Sequence, residues 1–103
     1  MALKILDKSN FHEAIAGSKV PVIVDFSAEW CGPCRMIAQV LERMSAESGG
    51  KFEVYQVDTD TNPELAMEFH VSGLPNIVSF KGGTLYKRVV SAAPKETLLD
   101  LVR

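Results

Sequence analysis

Cys31 and Cys34 are the only cysteines of the chain, and they stand three positions apart in EWCGPC, residues 29–34. Thiols at that spacing can clamp a metal, staple a turn or exchange electrons. A structural zinc site takes four Cys or His ligands in paired or closely spaced sets. Beyond the cysteines the chain offers only His12 and His70, far apart and each alone in a helical pattern, so no metal site is expected. A bridge across so short a loop restricts the unfolded chain by only about 2 kcal/mol on the loop-entropy account. A chain that is 47% hydrophobic does not need it.

Exchange has local physics behind it. Cys31 follows a strand pattern and precedes a helical one, which predicts a helix N-cap with Gly32, Pro33 and Cys34 as the first turn. A thiolate there would accept backbone N–H bonds and feel the positive end of the helix dipole, and both lower its pKa. Cys34, one turn on, is within disulfide reach but deeper, as a resolving thiol should be. Pro33 costs no helical hydrogen bond, and Gly32 leaves room for a partner's backbone. No histidine or lysine lies between the thiols, so the pair reads as a reductant rather than a strong oxidant. Asp25 interrupts the apolar run VPVIVDFS. Burial would raise its pKa toward that of a proton donor and acceptor; a strand-end aspartate pairing with a cap is the alternative.

The elements that must hold these groups alternate in type. ALKIL (2–6) is a short strand and SNFHEAIAG (9–17) a helix, capped by Ser9, with Phe11 and Ile15 on one face and Gly17 at its end. VPVIVDFS (20–27) is a strand covered on both faces, with Pro21 near its start. Ile37, Val40, Leu41 and Met44 fall at helical spacing, and Gly49-Gly50 stops that helix. KFEVYQVDTD (51–60) is a strand; NPELAMEFH (62–70) is a helix with Asn62 as cap and Pro63 first. NIVSF (76–80) and TLYKRVV (84–90) flank a Gly82-Gly83 hairpin turn, and APKETLLDLV (93–102) closes the chain as a helix with Leu98, Leu101 and Val102 on one face. The order β-α-β-α-β-α-β-β-α predicts an α/β fold. Its central mixed sheet is a parallel unit extended by an antiparallel hairpin, with helices on both faces.

At 103 residues, without linker or repeat, the chain reads as a single domain, 1–103. The net charge of -2 argues against nucleic acid, and the longest apolar run, Val20–Val24, is too short for a bilayer. MALKILDKSN lacks the pattern of a secretory signal. A cytoplasmic protein is therefore expected, or the mature form of an organelle stroma or matrix protein, and nothing calls for more than a monomer. Lys81, Lys87, Arg88, Lys95 and Arg103 make the C-terminal part basic, which reads as solvated surface.

VDFSAEWCGPCRMIA (24–38) closely resembles the active-site segment of thioredoxins, and VDTDTNPELAMEFHVSGLPNIVSFKGG (57–83) matches the second half of that family. The resemblance covers essentially the whole chain and implies the thioredoxin fold. It also implies a protein-disulfide reductase working through a mixed disulfide, with Cys31 attacking, Cys34 resolving and Asp25 assisting proton transfer. Trp30 would flank the docking surface. Gly73, Leu74 and a cis Pro75 would form a groove wall facing the cysteines, with Leu74 offering backbone hydrogen bonds; Gly32, Pro33, Ser91 and Ala92 would complete the surface. The implied partners are disulfide-containing proteins and a thioredoxin reductase, NADPH-linked or ferredoxin-linked, and no cofactor is implied beyond the redox-active Cys31–Cys34 pair.

The chain departs from the family pattern at several places. Ser27 stands where many members have an aromatic residue, and Gln39 where a proline often kinks the helix, so a straighter helix is expected. Gln56 stands where a lysine often pairs with the buried aspartate, which predicts a higher Asp25 pKa than in lysine-bearing members. Asn76 replaces a threonine, and Ser91 a glycine whose absence would narrow the groove. Two rival functions follow from the same residues: an oxidase or isomerase of secreted proteins, and a binding module in which the thiols are incidental. The missing signal and the Gly-Pro dipeptide speak against the first, and the set of Cys31, Cys34, Asp25, Leu74 and Pro75 against the second.

Overall fold

Six consecutive residues, Val22–Ser27, are all buried and form the central strand, β2. Valine and isoleucine suit a pleated, doubly covered strand, and Pro21 falls just outside it, its carbonyl accepting from the Glu53 amide at 3.0 Å. The structure, a computed structural model, describes residues 3–103. Around β2 lie β1 (Lys4–Ile5), β3 (Glu53–Asp58), β4 (Asn76–Lys81) and β5 (Thr84–Val89), in the order β1-β3-β2-β4-β5. The first three strands are mutually parallel, and β4 runs antiparallel to both of its neighbours, β2 and β5. This is the predicted mixed sheet. Ala2, included in the expected first strand, lies outside the described residues.

Alternation along β2 divides the interior. Val22, Val24 and Phe26 pack with Phe11 and Ile15 of α1 (Phe11–Gly17) and Leu65 of α3 (Pro63–Glu68). Ile23, on the opposite face, packs with Ile37, Leu41 and Met44 of α2 (Gly32–Glu47) and Leu98 of α4 (Lys95–Leu99). Asp25 and Ser27 share the parity of Ile23, so they lie under α2. The sheet is therefore covered on both faces, as expected.

Helix ends show where local pattern yields to tertiary contacts. The α2 helix runs unbroken through Gln39 to Glu47, with Ser48 as its C-cap, and Gly49 and Gly50 follow with φ of 61° and 81°. Ser9 does not cap α1: the cap position is Asn10, and Ser9 and Asn10 both bond to Asp7 instead. Asn62 holds the cap position of α3 but makes no cap bond. Its Oδ1 accepts from the Lys8 amide at 3.0 Å and its Nδ2 donates to the Asp58 carbonyl at 3.0 Å. The closing helix is shorter than expected, passing into a 3-10 turn over Asp100–Val102, with Leu98 and Leu101 buried and Val102 half-buried.

The register places four loops at one end of the sheet. Ser27 ends β2 opposite Asp58, the last residue of β3, and Asn76 starts β4 opposite Phe26. Ile77 lies opposite Val89, the last residue of β5. The segments 28–31, 59–62, 70–75 and 90–94 therefore leave the sheet together, at the end where α2 begins.

Candidate active site

Cys31 occupies the N-cap of α2 in extended conformation, with φ -85° and ψ 102°. Its Sγ accepts from the Cys34 amide at 3.3 Å and is bonded to Cys34 Sγ, with the two Cα atoms 5.3 Å apart. This is the predicted helix-start geometry: an amide of the first turn and the dipole of a 16-residue helix both favour negative charge on that sulfur. Both cysteines are buried in this disulfide form, while Gly32 and Pro33 between them are exposed. Trp30 is 70% exposed, which removes a core role, and its Nε1 donates to Asp60 Oδ2 at 3.0 Å.

Asp25 is wholly buried. Its Oδ2 accepts from Gln56 Nε2 at 3.2 Å across the β2–β3 pair, and among the described residues its Oδ1 has no hydrogen-bond partner. Desolvation pushes its pKa up to about 6, against a smaller lowering from Gln56. The strand-end, cap-pairing alternative does not hold, because Asp25 sits inside the strand and its carboxylate is bonded to the side-chain amide of Gln56. An uncharged amide satisfies one oxygen without supplying the opposite charge that would pull the pKa back.

Two clefts flank the disulfide. One, of about 660 Å³, brings Cys34 together with Ser27, Gln39 and Gln56; with serine at position 27 no aromatic ring occupies this wall. The other, of about 670 Å³, is lined by Gly32, Pro33, Met36, Ala92 and Pro94. The Leu74–Pro75 bond is cis, as the resemblance implied, with Pro75 buried and Gly73 exposed. Gly73, Leu74, Pro75 and Ser91 line neither cleft; the sheet register alone brings their loops to this end. Residues the sequence did not single out are Asp60, which tethers Trp30, and Met36, 71% exposed beside the second cleft. Neither carries a local signal, since Asp60 reads as a turn residue and Met36 as a helix position.

His12 accepts no part in the site: its Nε2 lies 2.8 Å from Glu68 Oε2 on the α1–α3 face. His70 is exposed past the end of α3, with φ of 56°. Among the described residues no group of three His, Cys, Asp or Glu could hold a metal.

The thioredoxin family model matches residues 2–103. The chain belongs to the thioredoxin family. It is 44% identical to thioredoxin 1 of Nostoc sp. over 90 residues, 87% of this chain and 84% of that protein. It is 43% identical to a bifunctional thioredoxin reductase/thioredoxin of Mycobacterium leprae, over 96% of this chain and 21% of that protein. A chloroplastic M-type thioredoxin of Pisum sativum is 38% identical, over 97% of this chain and 58% of that protein. The chain thus spans only part of some relatives and most of others. Family and geometry agree on a thioredoxin-type disulfide reductase site.

Proposed function

We propose that the chain reduces disulfides in partner proteins, with Cys31 as the attacking thiol and Cys34 as the resolving one. The carrying observation is the Cys31 sulfur at the α2 N-cap, bonded to Cys34 and accepting its amide. The Cys31 thiolate attacks a target disulfide, forming a mixed disulfide and expelling one target thiolate. Cys34 gives its proton to the Asp25 carboxylate and attacks Cys31 Sγ, expelling the second. The target gains two electrons, and the chain ends as the disulfide. A carboxylate with a pKa of about 6 is ionised at neutral pH yet basic enough to take that proton.

The docking surface is built from Trp30, Gly32, Pro33, Gly73, Leu74, Pro75, Ser91 and Ala92. Among the described residues, a Cβ at Gly32 or Gly73 would meet nothing within 4 Å beyond its own chain neighbours and, at Gly32, the backbone of its own helix. Packing inside the fold therefore does not demand glycine at either place, which supports a reason outside the chain. Electrons return from a thioredoxin reductase; the mycobacterial relative carries both activities in its name. No cofactor beyond the disulfide, no nucleic acid and no membrane takes part, and the chain works as a monomer. Among the described residues no helix is long and apolar enough to cross a membrane. The proposed compartment keeps thiols reduced: the cytoplasm, or an organelle stroma as the pea relative's name suggests.

Insulin-disulfide reduction, with NADPH-linked and ferredoxin-linked reductases supplied in turn, tests this reading. Activity with one of them is expected, lost on Cys31→Ser, while Cys34→Ser traps targets as mixed disulfides. Unchanged turnover in Cys31→Ser would sink the reading. A potential as high as the roughly -200 to -230 mV of glutaredoxins would favour an oxidase or isomerase instead.

A further inference from the structure

The segment from Phe69 to Asn76 joins α3 to β4 through two unusual conformations, His70 with φ of 56° and the cis Leu74–Pro75 bond. Its two ends are held by one side chain. Arg88 lies on β5 opposite Val78, so the two share a face, and Val78 packs among the residues under α1 and α3. From there Arg88 Nη2 donates to the Phe69 carbonyl at 2.6 Å, and Nη1 donates to Asn76 Oδ1 at 2.8 Å. Asn76 is itself buried, and its Nδ2 donates to the Gly73 carbonyl at 3.4 Å. Both partners of the guanidinium are uncharged oxygens. Arg88 is therefore not the solvated surface charge that its place in a basic stretch suggested.

We infer that Arg88 is the positioning residue of the docking loop. One planar fork spans the start and the end of 69–76, and through the Asn76 amide it fixes the carbonyl next to Leu74. A lysine ammonium, a single point on a flexible stem, cannot hold both oxygens in the same fixed geometry. An Asn at 76 presents an acceptor to Arg88 and a donor to Gly73 at once; a hydroxyl on the shorter threonine side chain offers one atom for both. The inference rests on the reading of Leu74 as the site that receives an extended target segment. Arg88 bonds to neither cysteine nor Asp25, so it sets the shape that targets meet while leaving the sulfur chemistry alone.

The test pairs a protein disulfide, insulin, with 5,5′-dithiobis(2-nitrobenzoate), a small disulfide that has no peptide segment to dock. In Arg88→Leu, KM for insulin should rise about tenfold with kcat within about twofold, because two charge-assisted hydrogen bonds to the loop are lost. The rate with the small disulfide should stay within about twofold, and Arg88→Lys should fall between Arg88→Leu and wild type for insulin. Asn76→Ala, which keeps the Phe69 bond, is the second variant and should raise the insulin KM by a smaller factor. An unchanged insulin KM in both Arg88→Leu and Asn76→Ala would overturn the inference. So would equal losses on the two disulfides, which would mark general damage to the site. Wild type that reduces neither substrate would remove the reductase reading and this inference with it; wild type active on both, beside indifferent variants, removes the inference alone.

Discussion

The two faces of β2 carry the same strand into opposite kinds of surroundings. Toward α1 and α3, Phe26 joins Phe11, Phe69 and Phe80 in a cluster whose neighbouring ring centroids lie 5.1 to 6.4 Å apart. Toward α2, the same strand presents Asp25, wholly buried, with an oxygen that has no partner among the described residues. Every residue of β2 is buried, so exposure does not separate the faces; chemistry does. The aromatic face stabilises the fold. The other holds a carboxylate whose ionisation the fold opposes, by about 3 kcal/mol at neutral pH if a pKa of about 6 is set against 3.8. A strand anchored on one side can tolerate such a cost on the other.

Breaking the stabilising face should give the largest effect. Phe11→Ala removes a ring that neighbours each of the three others and should cost about 3–5 kcal/mol in denaturant unfolding. The folded fraction should keep the wild-type rate of disulfide exchange. A proportionate loss of exchange per folded molecule would show that the two faces are not separable.

The opposite face predicts a gain. The folded-state pKa of Asp25 is raised, so the folded protein binds more protons than the unfolded chain between about pH 4 and 6, and stability falls as pH rises through that window. Asp25→Asn should therefore stabilise the oxidised protein above pH 6, by up to about 3 kcal/mol, and erase that pH dependence. It should also slow resolution of the mixed disulfide and remove the rise in its rate near pH 6. Unfolding curves at pH 4, 6 and 8 check the first part, and a variant less stable than wild type at pH 8 would contradict it.

The smallest expected change sharpens the cause. Gln56→Lys would place a cation beside Asp25 Oδ2, where the amide now donates. The Asp25 pKa should fall below about 6. Carbon-detected NMR titration of Asp25 in both proteins reads this directly, and a variant titrating no lower than wild type would sink the idea.

Much of this was legible in the chain, for physical reasons that differ by residue. Periodicity and turn chemistry are local, so the element order, the Gly82-Gly83 turn and the helix beginning after Cys31 followed from neighbours in sequence. The cysteine pair was legible because its geometry is set within one helical turn. Ser9 lost the expected cap position to Asn10, and Asn62 holds its expected cap position without a cap bond, because its side-chain oxygen is taken by the distant Lys8 backbone. The parity of β2 foretold that Asp25 and Phe26 face opposite ways, but not which face would carry the aromatic cluster.

By itself the sequence determined the elements, the helix-start thiol and the conspicuous carboxylate, because each depends on residues a few positions apart. Only the tertiary structure decided that Gln56 donates to the Asp25 carboxylate, that Trp30 lies on the surface tied to Asp60, and that Arg88 clasps 69–76. Those are contacts between separate elements, created by strand register and helix packing rather than by any local pattern.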